Sequence, residues 1–150
     1  MPLARLARVA ARALELAGAA GPASLGVVLS DDRELAALNA EHMGEHGPTD
    51  VLSFPFYPPG TAAGRAQEGF RLPPGRRPHL GDIVLSVERA AEQAAQGRGG
   101  QTGDVRWSVA EEVLLLVAHG TLHICGLDHA EPAEEAAMRA LEQRILVGLR

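Results

Sequence analysis

Lysine is absent from this chain of 150 residues, and cysteine, tryptophan and tyrosine each occur once. One cysteine excludes an intramolecular disulfide and fits a reducing compartment. Aromatic residues make up 3% of the chain, which argues against an extended aromatic platform for stacking several bases. No apolar run approaches the roughly 18 residues of a membrane span. We therefore expect a cytoplasmic protein with neither a membrane partner nor a disulfide partner.

The charge balance is acidic, with a net charge of -5 although fourteen residues are arginine. A protein that binds nucleic acid over a broad surface usually carries a basic patch or stripe. Any contact of this chain with nucleic acid must therefore be local. The length predicts one domain over residues 1–150, large enough to bury a core.

The spacing of apolar residues predicts an α+β domain. Helices are expected over residues 3–17, 32–42 and 87–96, from Asp104 or Ser108 into the motif described below, and from Pro132 onwards. Strands are expected over residues 24–30, 51–54 and 83–85, with a proline-rich loop over residues 55–79. The last helix should bury Ala137, Met138, Leu141, Ile145 and Leu149. We expect a small mixed sheet of three or four strands packed by about five helices.

Three histidines follow the most apolar stretch of the chain, residues 113–118. His119 and His123 are four positions apart, so on a helix they project about 40° apart from one face. Gly126 stands where a helix usually ends in a left-handed residue. The chain then turns, and His129 can approach the first two rings. The pattern predicts a metal site at a helix C-terminus and the turn after it.

Three imidazoles with one open coordination position are typical of catalytic zinc. The spacing matches the metzincin protease motif, but Gly120 replaces the general-base glutamate that follows the first histidine. A peptidase of that type would lack its proton acceptor. The alternative without metal is that each histidine is satisfied separately in the core or on the surface. Three histidines at this spacing favour the metal.

Three sequence blocks resemble the YbeY-type rRNA maturation factors, which are metal-dependent bacterial endoribonucleases specific for single strands. The blocks are His119-Gly120-x-Leu122-His123-x-x-Gly126-x-Asp128-His129, Leu38-Asn39 with Pro48-Thr49-Asp50-Val51-Leu52-Ser53-Phe54-Pro55, and Leu80-Gly81-Asp82-Ile83. They occur in the family's order and span residues 38–129. The resemblance also favours a helix over an organelle transit peptide for the arginine-rich start of the chain.

The resemblance implies one Zn²⁺ per chain, bound by His119, His123 and His129. It implies cleavage of single-stranded RNA, processing of the 3′ end of small-subunit (16S) rRNA and a part in ribosome quality control, with the ribosome or its small subunit as partner. Asp128 is the carboxylate inside the motif; it is expected to accept a proton from water or, as we favour, to orient a ligand imidazole. Cys125 is interpreted as a small buried side chain rather than a fourth ligand.

The matched polar residues outside the motif are candidate substrate contacts. They are Asn39, Thr49, Ser53 and Ser86, to which we add Arg76 and Arg77 of the proline-rich loop as phosphate ligands. Asn39 and the two arginines have structural alternatives: a helix-end hydrogen bond for Asn39, and a solvated loop for the arginines. Asp50 and Asp82 are equally compatible with turns or caps.

The main departure from the family is Met43, which falls where the family usually carries an arginine that engages the RNA backbone. Methionine cannot bind phosphate as a guanidinium does. Either another arginine substitutes, or cleavage is weaker than in the family. This departure keeps open a second function, that of a non-catalytic assembly factor stabilised by zinc. A metallopeptidase is a third alternative, based on ligand spacing alone.

Overall fold

The structure, a computed structural model, describes residues 3–18, 23–47, 49–56, 78–96, 108–127 and 131–147. Within these ranges it contains five α-helices and three strands, as the α+β prediction requires. The helices are α1 (Leu3–Leu16), α2 (Asp32–Leu38), α3 (Val87–Ala95), α4 (Val109–Ile124) and α5 (Pro132–Val147). The strands are β1 (Ser24–Ser30), β2 (Val51–Pro55) and β3 (His79–Ser86). None of the helices described is long and apolar enough to cross a bilayer.

The three strands form a mixed sheet in the order β1-β3-β2. Strand β3 runs parallel to β1 and antiparallel to β2. Strand β3 begins four residues before the strand predicted over residues 83–85. These first residues form a strand because β1 and β2 supply hydrogen-bond partners on both sides, although their sequence alone predicts a loop. Gly81 pairs with both Leu25 and Pro55. A Cβ there would lie 2.6 Å from the carbonyl oxygen of Phe54, so this close approach requires glycine.

Helix α4 is buried around its whole circumference and forms the centre of the core. Every side chain from Val113 to Ala118 is at most 3% exposed. The helix packs against α1, α3, α5, β2 and β3, so its central turns have no solvent-facing side, as expected for a segment apolar all round. Leu6, Val9 and Ala13 of α1 belong to the same core. The arginine-rich start is therefore a helix of the fold.

Both ends of α4 are fixed by hydrogen bonds. At the start, the Ser108 hydroxyl accepts a bond from the backbone N–H of Glu111 at 3.1 Å, as the predicted N-cap requires. At the end, Gly126 adopts a φ of 96°. Its N–H bonds the carbonyl of His123, and the N–H of Leu127 bonds that of Leu122. This is a Schellman motif, and it reverses the chain directly after the second histidine.

The predicted helix over residues 32–42 changes character at its end. Helix α2 continues without interruption into a π-helical turn, Asn39–Met43, which Gly44 closes with a φ of 67°. Such wide turns are rare and occur frequently at functional sites. Here the turn carries Met43, which lies 46% exposed, towards the cleft described below.

The buried face of α5 differs from the prediction. Met138 and Ile145 are buried as expected, but Ala137 is exposed, and Leu149 lies outside the described residues. Leu146 and Glu142 are buried instead. The buried face of α5 therefore lies at a different angle around the helix from the predicted apolar stripe. It includes the carboxylate of Glu142.

We predict that Ser86→Ala destabilises the fold more than Ser108→Ala, although both serines cap helices. Ser86 is fully buried; its hydroxyl donates to Asp32 at 2.6 Å and accepts from the N–H of Arg89 at 3.0 Å. An exposed cap contributes about 1 kcal/mol, and the lost bond to the partly buried Asp32 carboxylate, which keeps only its 3.4 Å contact with Arg89, should add up to about 1 kcal/mol more. Urea unfolding of both variants measures the difference. Equal losses would show that the bond to Asp32 contributes nothing.

Candidate active site

The two histidines of α4 converge on one point. Their Nε2 atoms are 3.1 Å apart, and the rings meet edge to face with centroids 4.6 Å apart. The spacing of four residues brings both rings to the same side of the helix, over its last two turns. His119 and His123 therefore project from one face of the helix, as their spacing predicts.

The histidine pair lies in a cleft of about 590 Å³ formed by α4, α5, β2 and the π-helical turn. The described residues that line the cleft are Met43, Thr49, Asp50, Val51, Leu52, Ser53, Pro55, His119, His123, Glu135, Met138, Arg139 and Glu142. Two of the predicted substrate contacts, Thr49 and Ser53, are among them.

Glu142 of α5 orients the first histidine. Its carboxylate is 4% exposed and lies 3.0 Å from Nδ1 of His119. A neutral imidazole that donates its Nδ1–H to a carboxylate carries its lone pair on Nε2, the atom that faces His123. Sequence reasoning missed Glu142. The sequence nevertheless indicates a buried carboxylate here, because an acidic residue between Met138 and Ile145 interrupts an otherwise apolar helix face.

The pair fits two ligand positions of a zinc site. Zinc–nitrogen bonds of 2.0–2.1 Å in tetrahedral geometry separate ligand atoms by about 3.3 Å, close to the observed 3.1 Å. The third predicted ligand, His129, and the neighbouring Asp128 lie outside the described residues. Within the described part of the chain no group of three potential ligands occurs. His129 therefore remains a predicted ligand.

Gly120 is a glycine because the sheet lies against it. A Cβ at this position would be 3.0 Å from Cγ2 of Ile83 and 3.1 Å from Oγ of Ser53. The hydroxyl of Ser53 donates to the Gly120 carbonyl at 3.1 Å. The position that carries the general base in metzincins thus packs tightly against the sheet, and the chain has no carboxylate there. This argues against the peptidase alternative.

Asp50 has a structural role as well as a place in the cleft. One carboxylate oxygen accepts the N–H of Val51 at 2.8 Å, and the other accepts a bond from Gln93 at 3.2 Å. These bonds join the start of β2 to helix α3. The turn interpretation of Asp50 is confirmed, and the residue also contributes negative charge to the cleft.

Other predicted contacts are not brought to the cleft. Asn39 is 7% exposed and donates to the carbonyl of Gly47 at 3.0 Å, the helix-end role. Ser86 is the buried cap of α3. Asp82 accepts a bond from His79 elsewhere on the sheet. Neither Asn39 nor Ser86 lines the cleft, and Arg76 and Arg77 lie outside the described residues.

Cys125 caps the end of α4 and is 8% exposed. Burial raises the pKa of its thiol to about 11, so the side chain is neutral at pH 7. This agrees with the interpretation of Cys125 as a small apolar residue.

Fold and cleft together define a small α+β domain with a metal-type histidine pair at the end of a buried helix. The chain belongs to the YbeY family, since the family model described as Endoribonuclease YbeY matches residues 3–150. It is 43% identical over 144 residues to the Endoribonuclease YbeY of Symbiobacterium thermophilum, covering 95% of this chain and 83% of that one. The Thermus thermophilus relative of the same name is 40% identical over 142 residues, covering 95% and 87%.

A solved structure supports the fold. The solution structure of a Thermotoga maritima protein superposes with a TM-score of 0.60 and covers 98% of this chain and 80% of its own. At 22% sequence identity, this likeness concerns the fold alone.

We predict that Glu142→Ala weakens zinc binding about 10- to 100-fold, because His119 loses the group that fixes its ring and tautomer. Glu142→Gln, which still offers an oxygen to Nδ1–H, should lose less. Competition with a chromophoric chelator measures both affinities. Glu135→Ala is the matched control, since it removes another carboxylate of the cleft. Unchanged affinity in Glu142→Ala would refute the orienting role.

Proposed function

We propose that the cleft is the active site of a zinc-dependent endoribonuclease that cuts single-stranded RNA, with His119, His123 and His129 as ligands. The observation that carries the proposal is the convergence of two Nε2 atoms, 3.1 Å apart, inside a cleft. The relatives reported above are named endoribonucleases, and this supports RNA as the substrate. Three neutral ligands suit phosphodiester hydrolysis, because they leave the charge of the ion uncompensated.

Different residues of the chain would orient the metal ligands and contact the RNA. A bound zinc ion supplies positive charge, which activates water and stabilises charge on a phosphoryl oxygen. Glu142 holds His119 in place, and we assign Asp128 a similar orienting role towards a ligand ring. Thr49 and Ser53 line the cleft and offer hydroxyl groups to the sugar-phosphate backbone. The Ser53 hydroxyl already donates to Gly120, so it is available to RNA as an acceptor.

In the cell, we propose that the substrate is ribosomal RNA. The reaction would mature the 3′ end of 16S rRNA and contribute to ribosome quality control, with the small subunit as partner. The acidic balance of the chain, with a net charge of -5, favours a local contact at the cleft over binding along a broad basic surface.

We expect the purified protein to hold about one zinc ion per chain and to cut single-stranded RNA. His123→Ala should abolish both properties, because the ion loses a ligand. His46→Ala, an exposed histidine outside the motif, should change neither. Metal analysis and a gel assay on labelled RNA measure the two effects. Cleavage that survives removal of the metal would contradict the proposal.

A second candidate function is that of an assembly factor in which zinc only stabilises the fold. Met43 favours it, because this uncharged side chain lines the cleft where the family usually carries an arginine. This candidate predicts a lower melting temperature after chelation and no RNA cleavage even at high protein concentration. Chelation without effect on the melting temperature would rule it out.

We predict that Met43→Arg raises kcat/KM for single-stranded RNA about tenfold, because a guanidinium in the cleft can pair with phosphate. Met43→Gln, a polar control of similar length without charge, should leave the rate near that of the wild type. Initial rates on one labelled RNA compare the three proteins. An assembly factor would stay inactive in all three.

A further inference from the structure

The cleft has an unfavourable charge for an RNA substrate. Its described lining includes the carboxylates of Asp50, Glu135 and Glu142, whereas RNA carries one negative charge per phosphate. Glu142 is directed at His119, and Asp50 at the N–H of Val51 and the side chain of Gln93. The proposed zinc ion would offset part of this negative charge, and a cation from the protein would offset more of it for an entering polyanion. Among the described lining residues there is one arginine, Arg139.

Arg139 is placed next to the histidine pair by helix α5. It precedes Glu142 by three residues, so the two side chains are neighbours on the helix surface. Glu142 contacts His119 at 3.0 Å, and the backbone of Arg139 lies about one helical turn before that of Glu142. The same cleft contains both.

Among the described residues, Arg139 pairs with one carboxylate, and that pair is exchangeable. Its Nη2 lies 2.7 Å from Oε1 of Glu135, and the two side chains are 60% and 49% exposed. Exposed pairs of this kind contribute little to stability. One such bond also leaves most of the five guanidinium N–H donors for a ligand. Both members of this i,i+4 pair line the cleft.

We propose that Arg139 binds a backbone phosphate of the RNA beside the histidine pair, and that Glu135 holds the guanidinium until RNA displaces it. This inference rests on the proposed function. A planar guanidinium matches the geometry of phosphate oxygens and can bind two at once. Arg139 of α5 would thereby replace the arginine that the family usually carries at the position of Met43, in the π-helical turn.

The test is the salt dependence of binding to a labelled 2′-O-methyl oligonucleotide, which lacks the free 2′-hydroxyl and reports binding apart from cleavage. Fluorescence anisotropy gives Kd at several salt concentrations for the zinc-loaded protein, and a gel of the same samples checks that the oligonucleotide stays intact. Arg139→Gln should weaken binding about tenfold at low salt and reduce the slope of log Kd against log salt by about 0.7, one single-strand phosphate contact. Arg139→Lys should keep the slope with weaker binding, because a point charge replaces the fork.

Two further variants complete the design. Arg144→Gln changes the net charge of the same helix equally, but Arg144 is exposed and does not line the cleft; its slope should equal that of the wild type. Glu135→Gln removes the competing carboxylate and should tighten binding roughly twofold, the scale of an exposed ion pair. Circular dichroism melting checks that each variant is folded.

The outcomes separate this inference from the proposed function. If Arg139→Gln keeps the wild-type slope, or Arg144→Gln loses as much, the phosphate site at Arg139 is refuted, while RNA cleavage by the wild type would still stand. If the slope falls only in Arg139→Gln but no RNA is cut, the site is supported and the nuclease proposal fails. A wild type that neither binds nor cuts overturns both.

Discussion

Helix α4 is buried on all sides, and that burial determines where the chemistry can lie. A helix without a solvent-facing side cannot rotate about its axis without disturbing every neighbour, so the directions of His119 and His123 are fixed by the whole core. The Schellman motif at Gly126 ends the helix directly after the second ring. A rigid scaffold of this kind suits a metal site, whose ligands must meet at a common centre.

Helix α5 connects the core to the cleft through charged residues on neighbouring positions. Glu142 is buried against His119, whereas Arg139 and Glu135 are largely exposed in the same cleft. One helix thus contributes a buried carboxylate that contacts an imidazole and an exposed cation, which we propose binds the substrate. Burial explains the difference, since a buried charge needs its partner permanently, while an exposed pair can exchange partners at little cost.

Several side chains that look like substrate contacts from their sequence motifs have structural roles. Ser86 closes the start of α3 and is held by Asp32, and Asn39 ties the π-helical turn to Gly47. Gly120, which looks like a missing catalytic residue when compared with metzincins, packs closely against Ile83 and Ser53 of the sheet. A motif therefore marks a region of the fold, but the direction of each side chain decides whether it can reach a substrate.

The sequence by itself determined the α+β class, most helix and strand limits, the histidine pair and the glycine that ends α4, because these depend on local periodicity and backbone preferences. Only the tertiary structure decided the length of β3, whose first residues become a strand through partners on both sides. It also decided the buried face of α5, and with it the contact of Glu142 with His119. Contacts between segments distant in the chain leave little trace in local spacing.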